Sequence, residues 1–251
     1  FVLIFSIFVQ ADEKIIIISD TNRIKENMNN HDNISISVNT ARRLLNYFDA
    51  DEYEFQLFTL SRIEQLLLNK NSKKTYCALS RIKTAAREEN SLFSQPLQLY
   101  PNIKLYYTGK NHPIADELID ENGYLTPLTA LFKIYPLSTL TLISGRSYGV
   151  YLDDLIKEIP KKNVMYRTGL TQYKAISQML LKDRIDYIFA YPTSFELKQF
   201  AATNKHQSIY SLAINKKEPY LLARVQCTKN KLGQKTISRI NHYLSDIYTK
   251  D

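Results

Sequence analysis

The chain has 251 residues, 44% of them apolar, and a formal net charge of +8. That length can bury a sizeable core as one large domain or two small ones, and the composition excludes a disordered or low-complexity chain. Only six glycines and no tryptophan are present, which argues against folds built on many tight glycine turns, phosphate-cradling loops included.

Residues Phe1 to Val9 are almost wholly apolar, and Val9-Gln10-Ala11 then precedes Asp12-Glu13-Lys14. This matches the apolar core and small-residue cleavage site of a secretory signal peptide, truncated at its start, with cleavage after about Ala11. A membrane-spanning helix needs ~20 apolar residues, more than this run provides. The alternative is a buried first strand. Lys and Arg are scattered, and their densest runs (Lys73-Lys74, Lys161-Lys162, Lys216-Lys217) are pairs in loop-like stretches. The basic balance therefore reads as a solvated surface, not as a nucleic-acid footprint.

From Lys14 onward strand and helix signals alternate. Lys14 to Ser19 is β-branched and runs into a polar loop, Asp20 to Asn33. Val38, Ala41, Leu44, Leu45 and Phe48 fall at helical spacing, Tyr53 to Phe58 alternates as a strand, and Leu60, Ile63, Leu66 and Leu67 mark a second helix. Thr75 to Leu79 reads as a buried strand. The β-α-β-α-β order predicts a mostly parallel sheet with helices on its faces.

The middle of the chain repeats the pattern. Strands are expected at Ile103 to Tyr107, Thr139 to Ile143, Val164 to Tyr166 and Ile185 to Tyr191. Helices are expected from about Val150 to Glu158, along the stripe Tyr173, Ile176, Met179 and Leu180, and around Glu196. Lys110 to Pro136 is the least regular stretch, a loop with one helix. Ile209 to Ile214 and Tyr220 to Gln226 are later strands, and an amphipathic helix carrying Ile237, Ile240, Leu244 and Ile247 closes the chain. The fold class is α/β with two units.

Cys77 and Cys227 are 150 positions apart, and no CxxC or Cys/His cluster exists, so neither a zinc site nor another metal or cofactor is expected. In an oxidising compartment the pair reads as a disulfide; elsewhere it reads as two separate buried thiols.

Gly145-Arg146-Ser147-Tyr148-Gly149 matches the G-x-S-x-G elbow of serine hydrolases, between a strand and a helix as that motif requires. Ser147 would be the nucleophile, with Asp186 and His206 or His242 as acid and base. An elbow also needs an oxyanion hole from an earlier glycine-rich loop, and the first glycine here is Gly109. The same turn has two other readings. One is an anion site made by backbone N–H groups at a helix N-terminus, with Ser147 donating and Gly149 allowing close approach. The other is an ordinary strand-to-helix turn with a serine cap.

A second constellation runs Cys77-Ala78-Leu79-Ser80-Arg81-Ile82-Lys83-Thr84-Ala85-Ala86-Arg87-Glu88 and continues in Phe93-Ser94-Gln95-Pro96. It resembles the segment of family 3 extracellular solute-binding proteins in which a buried strand enters T-x-x-R and then F-S-x-P. Thr84, Arg87, Phe93, Ser94 and Pro96 occupy the matching positions. Lys182-Asp183-Arg184-Ile185-Asp186-Tyr187-Ile188 is similar to that family's G-R-x-D-A strand entry, and Leu221 through Lys229 to its return strand. The resemblance covers nearly the whole chain after residue 11.

The resemblance implies a two-lobed type II periplasmic binding fold, each lobe a mostly parallel sheet flanked by helices, joined by hinge strands. Lobe 1 is expected at 12–106 plus 215–251 and lobe 2 at 107–214. It implies a non-enzymatic periplasmic protein, working as a monomer, that hands a small solute (amino acid-like, polyamine or small carboxylate) to an ABC-type permease or a membrane sensor. The implied ligand residues are Ser80, Thr84, Arg87, Arg146, Ser147, Tyr148, Gly149 and Tyr191, with Arg87 pairing a carboxylate. Without the resemblance, Arg87 reads as a surface partner of Glu88 or Glu89. A lyase or dehydratase on the same two-lobed fold is the enzymatic counterpart.

Two departures stand out. The strand after the G-R-x-D-like entry ends in Tyr191 and Pro192, where amino-acid binders carry an acid for the ligand ammonium, and a tyrosine supplies no negative charge. Asp183 stands where the family has glycine. The resemblance also implies neighbouring strands for Cys77 and Cys227, close enough for a disulfide.

Overall fold

A computed structural model describes residues 13–28, 36–109, 114–192, 208–214, 217–218 and 220–248. The stretch read as a signal peptide, the helix expected around Glu196, and His206 lie outside them.

Two sheets organise the chain. In the first, β1 (Ile15–Ser19) pairs in parallel with β2 (Tyr53–Leu57) and β3 (Thr75–Ile82). The long strand β11 (Tyr220–Thr228) runs antiparallel to β3 and also pairs with β4 (Ser91–Phe93) and β5 (Gln98–Pro101). The second sheet has the order β10 (Ile209–Ala213), β6 (Lys104–Thr108), β9 (Tyr187–Ala190), β7 (Leu140–Ile143), β8 (Val164–Arg167). The chain thus leaves the first sheet between Pro101 and Lys104 and returns between Ala213 and Tyr220.

Both faces of each sheet are covered, which explains the unbroken buried runs Ile15 to Ile18 of β1, Leu140 to Ile143 of β7 and Tyr187 to Ala190 of β9. Ile15 and Ile17 point to one face, against Leu44 and Leu45 of α2 (Ile36–Leu45) and Ile237, Ile240 and Leu244 of α8 (Lys231–Tyr248). Ile16 and Ile18 point to the other, against Ile63, Leu66 and Leu67 of α3 (Leu60–Leu67). In the second sheet Leu140 and Leu142 join the cluster built with α5 (Leu128–Ile134) and α6 (Val150–Glu158). Ile143 and Ile188 pack with Ile176 and Leu180 of α7 (Gln172–Leu181).

Cys77 and Cys227 are register partners on β3 and β11, are both fully buried, and form a disulfide with an S–S distance of 2.04 Å. The pairing implied by the family resemblance is present, and the two-thiol alternative falls. Asp183 has φ of 51°, in the left-handed region that glycine enters freely and that aspartate tolerates better than most residues. Its Oδ1 accepts a 2.7 Å hydrogen bond from the Thr108 hydroxyl.

Some expected boundaries moved. β3 continues to Ile82, because Arg81 is held by buried partners instead of leaving for solvent. β9 is shorter than the expected Ile185 to Tyr191. β4 and β5 carried no sequence signal. The stretch read as irregular holds a short 3-10 turn, Asp116–Leu118, and α5.

Candidate functional site

The two lobes enclose a cavity of ≈ 780 Å³. Its lining comes from the carboxyl end of β1 and the loop after it, from β3, from Tyr100 of β5, from the turn before α6, and from the start of α7. Crevices outside the carboxyl ends of strands are where open α/β sheets bind ligands.

In the first lobe Ser80 interrupts β3 with φ of 59°, a left-handed conformation that costs an L-residue about 1–2 kcal/mol. The kink breaks strand alternation. Leu79, Ser80, Arg81 and Ile82 consequently all reach the cavity wall, and β11 shows a matching register shift between Arg224 and Gln226.

Arg81 and Arg87 are both buried and share one carboxylate. Glu64 of α3 accepts from Arg87 Nε at 2.8 Å and forms a short ion pair with Arg81 Nη2. Arg81 Nε also donates to Gln226 Oε1 at 3.2 Å. Its guanidinium is lowered to about 10, chiefly by burial and then by the Arg87 charge. Arg87 further donates from Nη1 to the Ile82 carbonyl at 2.8 Å. The expected surface pairing of Arg87 with Glu88 or Glu89 does not occur; Glu88 pairs with Lys83 and Glu89 with Lys70. Thr84 has a different role from the one expected. It caps α4 (Ala85–Asn90), accepting from Arg87 N at 3.4 Å, and so orients Arg87 without itself lining the cavity.

In the second lobe Arg146 and Ser147 line the cavity. The Arg146 guanidinium lies 4.5 Å from the Tyr173 ring centroid, 5.2 Å from Tyr191 and 5.5 Å from Tyr148, a cation–π cradle. Among the described residues its Nε is buried without a hydrogen-bond partner. Tyr191 stacks on Tyr100 of the first lobe at 4.8 Å.

The turn itself departs from the open anion site. Ser147 Oγ donates to Asp153 Oδ2 at 2.5 Å, and Tyr148 N donates to Asp153 Oδ1 at 2.8 Å. The chain's own carboxylate therefore occupies these donors at the N-terminal end of α6. Burial raises the Asp153 carboxyl above its ordinary value even so. Tyr148 is also corrected as a ligand residue: it is 2% exposed, packs on Phe189, and its hydroxyl accepts from Ile143 N at 2.9 Å. Gly149 is buried against Leu221 and Glu218, away from the cavity.

Among the described residues, which do not include His206, the hydrolase reading finds no catalytic set. Ser147 faces Asp153, Asp186 is bound to Thr139 N at 2.8 Å, and His242 is exposed on α8 beside Asp246. Of the expected ligand residues, Ser80, Arg87, Arg146, Ser147 and Tyr191 converge on the cavity, while Thr84, Tyr148 and Gly149 do not.

Sequence reasoning missed Asp20, Arg81, Tyr100, Tyr173 and Lys174, which also line it. Asp20 follows β1, and burial raises its carboxyl above the ordinary aspartate value, with Arg146 and Arg81 acting in the opposite sense. Arg81 follows the strand expected to end at Leu79, and its burial comes from the continuation of β3 to Ile82.

No known protein-family model and no curated protein sequence matches the chain. Solved structures do. An ancestral arginine-binding protein bound to glutamine superposes with a TM-score of 0.61 at 11% identity, covering 95% of this chain and 92% of its own. An amino acid ABC transporter substrate-binding protein from Streptococcus pneumoniae bound to L-arginine gives 0.59 at 14%, with 96% and 90% covered. The GluR0 ligand-binding core from Nostoc punctiforme in complex with L-glutamate gives 0.56 at 14%, with 94% of each chain covered. The chain therefore has the two-lobed α/β architecture of periplasmic binding proteins.

Proposed function

We propose that the protein is an exported solute-binding protein that captures a small, carboxylate-bearing solute between its lobes and releases it unchanged. The carrying observation is the cavity itself: residues of both lobes line it, Arg81, Arg87 and Arg146 among them. Guanidinium matches carboxylate with paired, charge-assisted hydrogen bonds. A solute touching both walls binds the closed arrangement better than the open one and shifts the population toward it.

In this reading lobe 1 comprises 12–106 with 215–251, and lobe 2 comprises 107–214. The hinge lies in the two passages between the sheets. The protein acts as a monomer in the periplasm and delivers its solute to an ABC-type permease or presents its closed form to a membrane sensor. The similarity in fold to amino-acid-binding proteins supports the solute class. Among the described residues no helix is long and apolar enough to cross a membrane.

The test is a thermal-shift screen of amino acids, polyamines and small carboxylates, followed by mass spectrometry of the protein-bound compound. A carboxylate that raises Tm and is recovered intact supports the reading. Conversion of the compound during incubation would point to a lyase or dehydratase instead.

A further inference from the structure

Resting on the solute-binding reading, the engagement of each charged side chain at the cavity wall tells which way round a solute lies. Arg81 and Arg87 of lobe 1 already share the Glu64 carboxylate, and the N–H groups of Arg87 also reach the Ile82 and Gly145 carbonyls. On lobe 2 the turn donors, the Ser147 hydroxyl and the Tyr148 N–H, are taken by Asp153. Two of the places where a carboxylate could dock therefore hold carboxylates of the chain itself.

Arg146 is different. It lines the cavity but enters no ion pair among the described residues. Tyr148, Tyr173 and Tyr191 hold its guanidinium by cation–π contacts, which fix a cation without neutralising it. Asp20 is its counterpart on lobe 1. It lines the same cavity, and its carbonyl accepts from Thr171 N of lobe 2 at 3.3 Å. Its carboxylate also enters no ion pair among the described residues, and Arg146 is the strongest of the charges that act on it. A partly buried acid left in this state costs stability, a cost that proteins carry at functional sites. The remaining charges of the wall are less suited: Glu26 and Lys174 are exposed, and Arg23 already has a partner.

We infer that the solute is a zwitterion bound with its carboxylate on Arg146 of lobe 2 and its amine on Asp20 of lobe 1. Each lobe supplies one of two opposite charges, so neither lobe alone holds both groups, and closure joins the two contacts. Guanidinium takes a carboxylate with paired, charge-assisted donors, and a carboxylate takes an ammonium group in the same way. The polarity is the reverse of the one implied by the family resemblance, in which Arg87 of lobe 1 takes the carboxylate and an acid at the place of Tyr191 takes the ammonium. Tyr191 instead helps to hold Arg146, and Arg87 serves the contact between the lobes through the Gly145 carbonyl.

Calorimetric titration of the protein compares each of two zwitterions with partners that lack one charge: L-glutamine with glutaramate and 4-aminobutanamide, and 4-aminobutyrate with butyrate and propylamine. At least one zwitterion should bind more tightly than either of its partners by about 10–100-fold, the factor for one charge-assisted contact in a desolvated site. Arg146→Gln should bring that zwitterion down to the level of its amine partner while its lead over the carboxylate partner remains. Asp20→Asn should do the converse. A merely structural role would lower all three compounds alike. Should Arg146→Gln fail to fold, Arg146→Lys keeps the cation among the rings without the guanidinium fork, and should cut the lead over the amine partner severalfold.

Carboxylate partners that bind as tightly as their zwitterions would overturn the inference and leave the solute-binding reading standing. So would a lead over the amine partner that survives Arg146→Gln and falls in Arg87→Lys, which would return the carboxylate to lobe 1. No binding in any arm would count against both.

Discussion

Arg87 reaches across from the first lobe and donates from Nη2 to the carbonyl oxygen of Gly145, 3.2 Å away, on the turn before α6. The lobes therefore touch directly at the wall of the cavity. Ser61 Oγ donates to Ser144 Oγ at 2.8 Å beside this contact, and Thr171 N donates to the Asp20 carbonyl at 3.3 Å on the opposite rim.

Gly145 makes that approach possible. Its φ is +79°, and a Cβ placed there would lie 2.6 Å from the Leu60 carbonyl carbon and the Ser61 nitrogen. Backbone at that distance has to move away. Gly145→Ala should fold, with a loss of about 1–2 kcal/mol from the left-handed backbone. Closure should be impaired: solute affinity is expected to drop about tenfold or more. Small-angle scattering should show a larger radius of gyration for the variant with solute than for the wild type with solute. Equal affinities and equal radii would remove the role given to this glycine.

Glu64 holds two buried arginines at once, so its charge serves both. Removing one member of a buried ion pair leaves the others desolvated and unpaired, at a cost of about 3–5 kcal/mol. Glu64→Gln keeps the shape and some hydrogen bonding. A loss of about 3 kcal/mol in urea denaturation is expected, with the midpoint shifted and the slope unchanged. A change below ~1 kcal/mol would mean that the two arginines are satisfied without Glu64.

Asp20 gives a pH dependence of definite sign. Its carboxyl is raised above the ordinary 3.8, first by burial, against the opposing pull of Arg146. A raised folded-state value means that the native protein binds the proton more tightly than the unfolded chain. The contribution to stability is then full below the unfolded value and is lost as pH rises through the folded one. Asp20→Asn should therefore raise the Tm of the unliganded protein at pH 7, and the gain should vanish as pH falls below the ordinary aspartate value. A variant less stable than wild type at pH 7 would contradict this sign and make Asp20 a net stabiliser.

Much of the architecture was legible from side-chain periodicity. Val150 to Glu158 and Leu60 to Leu67 show helical spacing, and both helices have those bounds. β4 and β5 were not legible, because three- and four-residue strands show no period and gain their partner, β11, only from far along the chain. The site was half legible. Arg87 and the Arg146-Ser147 turn carried motifs, whereas Arg81 reaches the cavity through the left-handed kink at Ser80, which no residue type announces. The anion-binding potential of the turn was real but internal: Asp153, six residues beyond Ser147, folds back onto it across the first turn of α6.

The disulfide provides the last prediction. Cys77 lies on β3 and Cys227 on β11, 150 residues apart, so the bond closes a loop that contains the whole second lobe. In the chain-entropy account, closing so long a loop contributes about 5 kcal/mol by restricting the unfolded chain. Both sulfurs are buried in the cluster with Ile15, Val225 and Ile240, away from the cavity wall. Reduction after unfolding, or the double variant Cys77→Ala with Cys227→Ala, should lower stability by several kcal/mol in urea while leaving solute affinity near the wild-type value. Thiol titration of the denatured, unreduced wild type should find no free thiol. Two free thiols, or a double variant as stable as the parent, would show that the pairing of β3 with β11 holds the first lobe together without the covalent link.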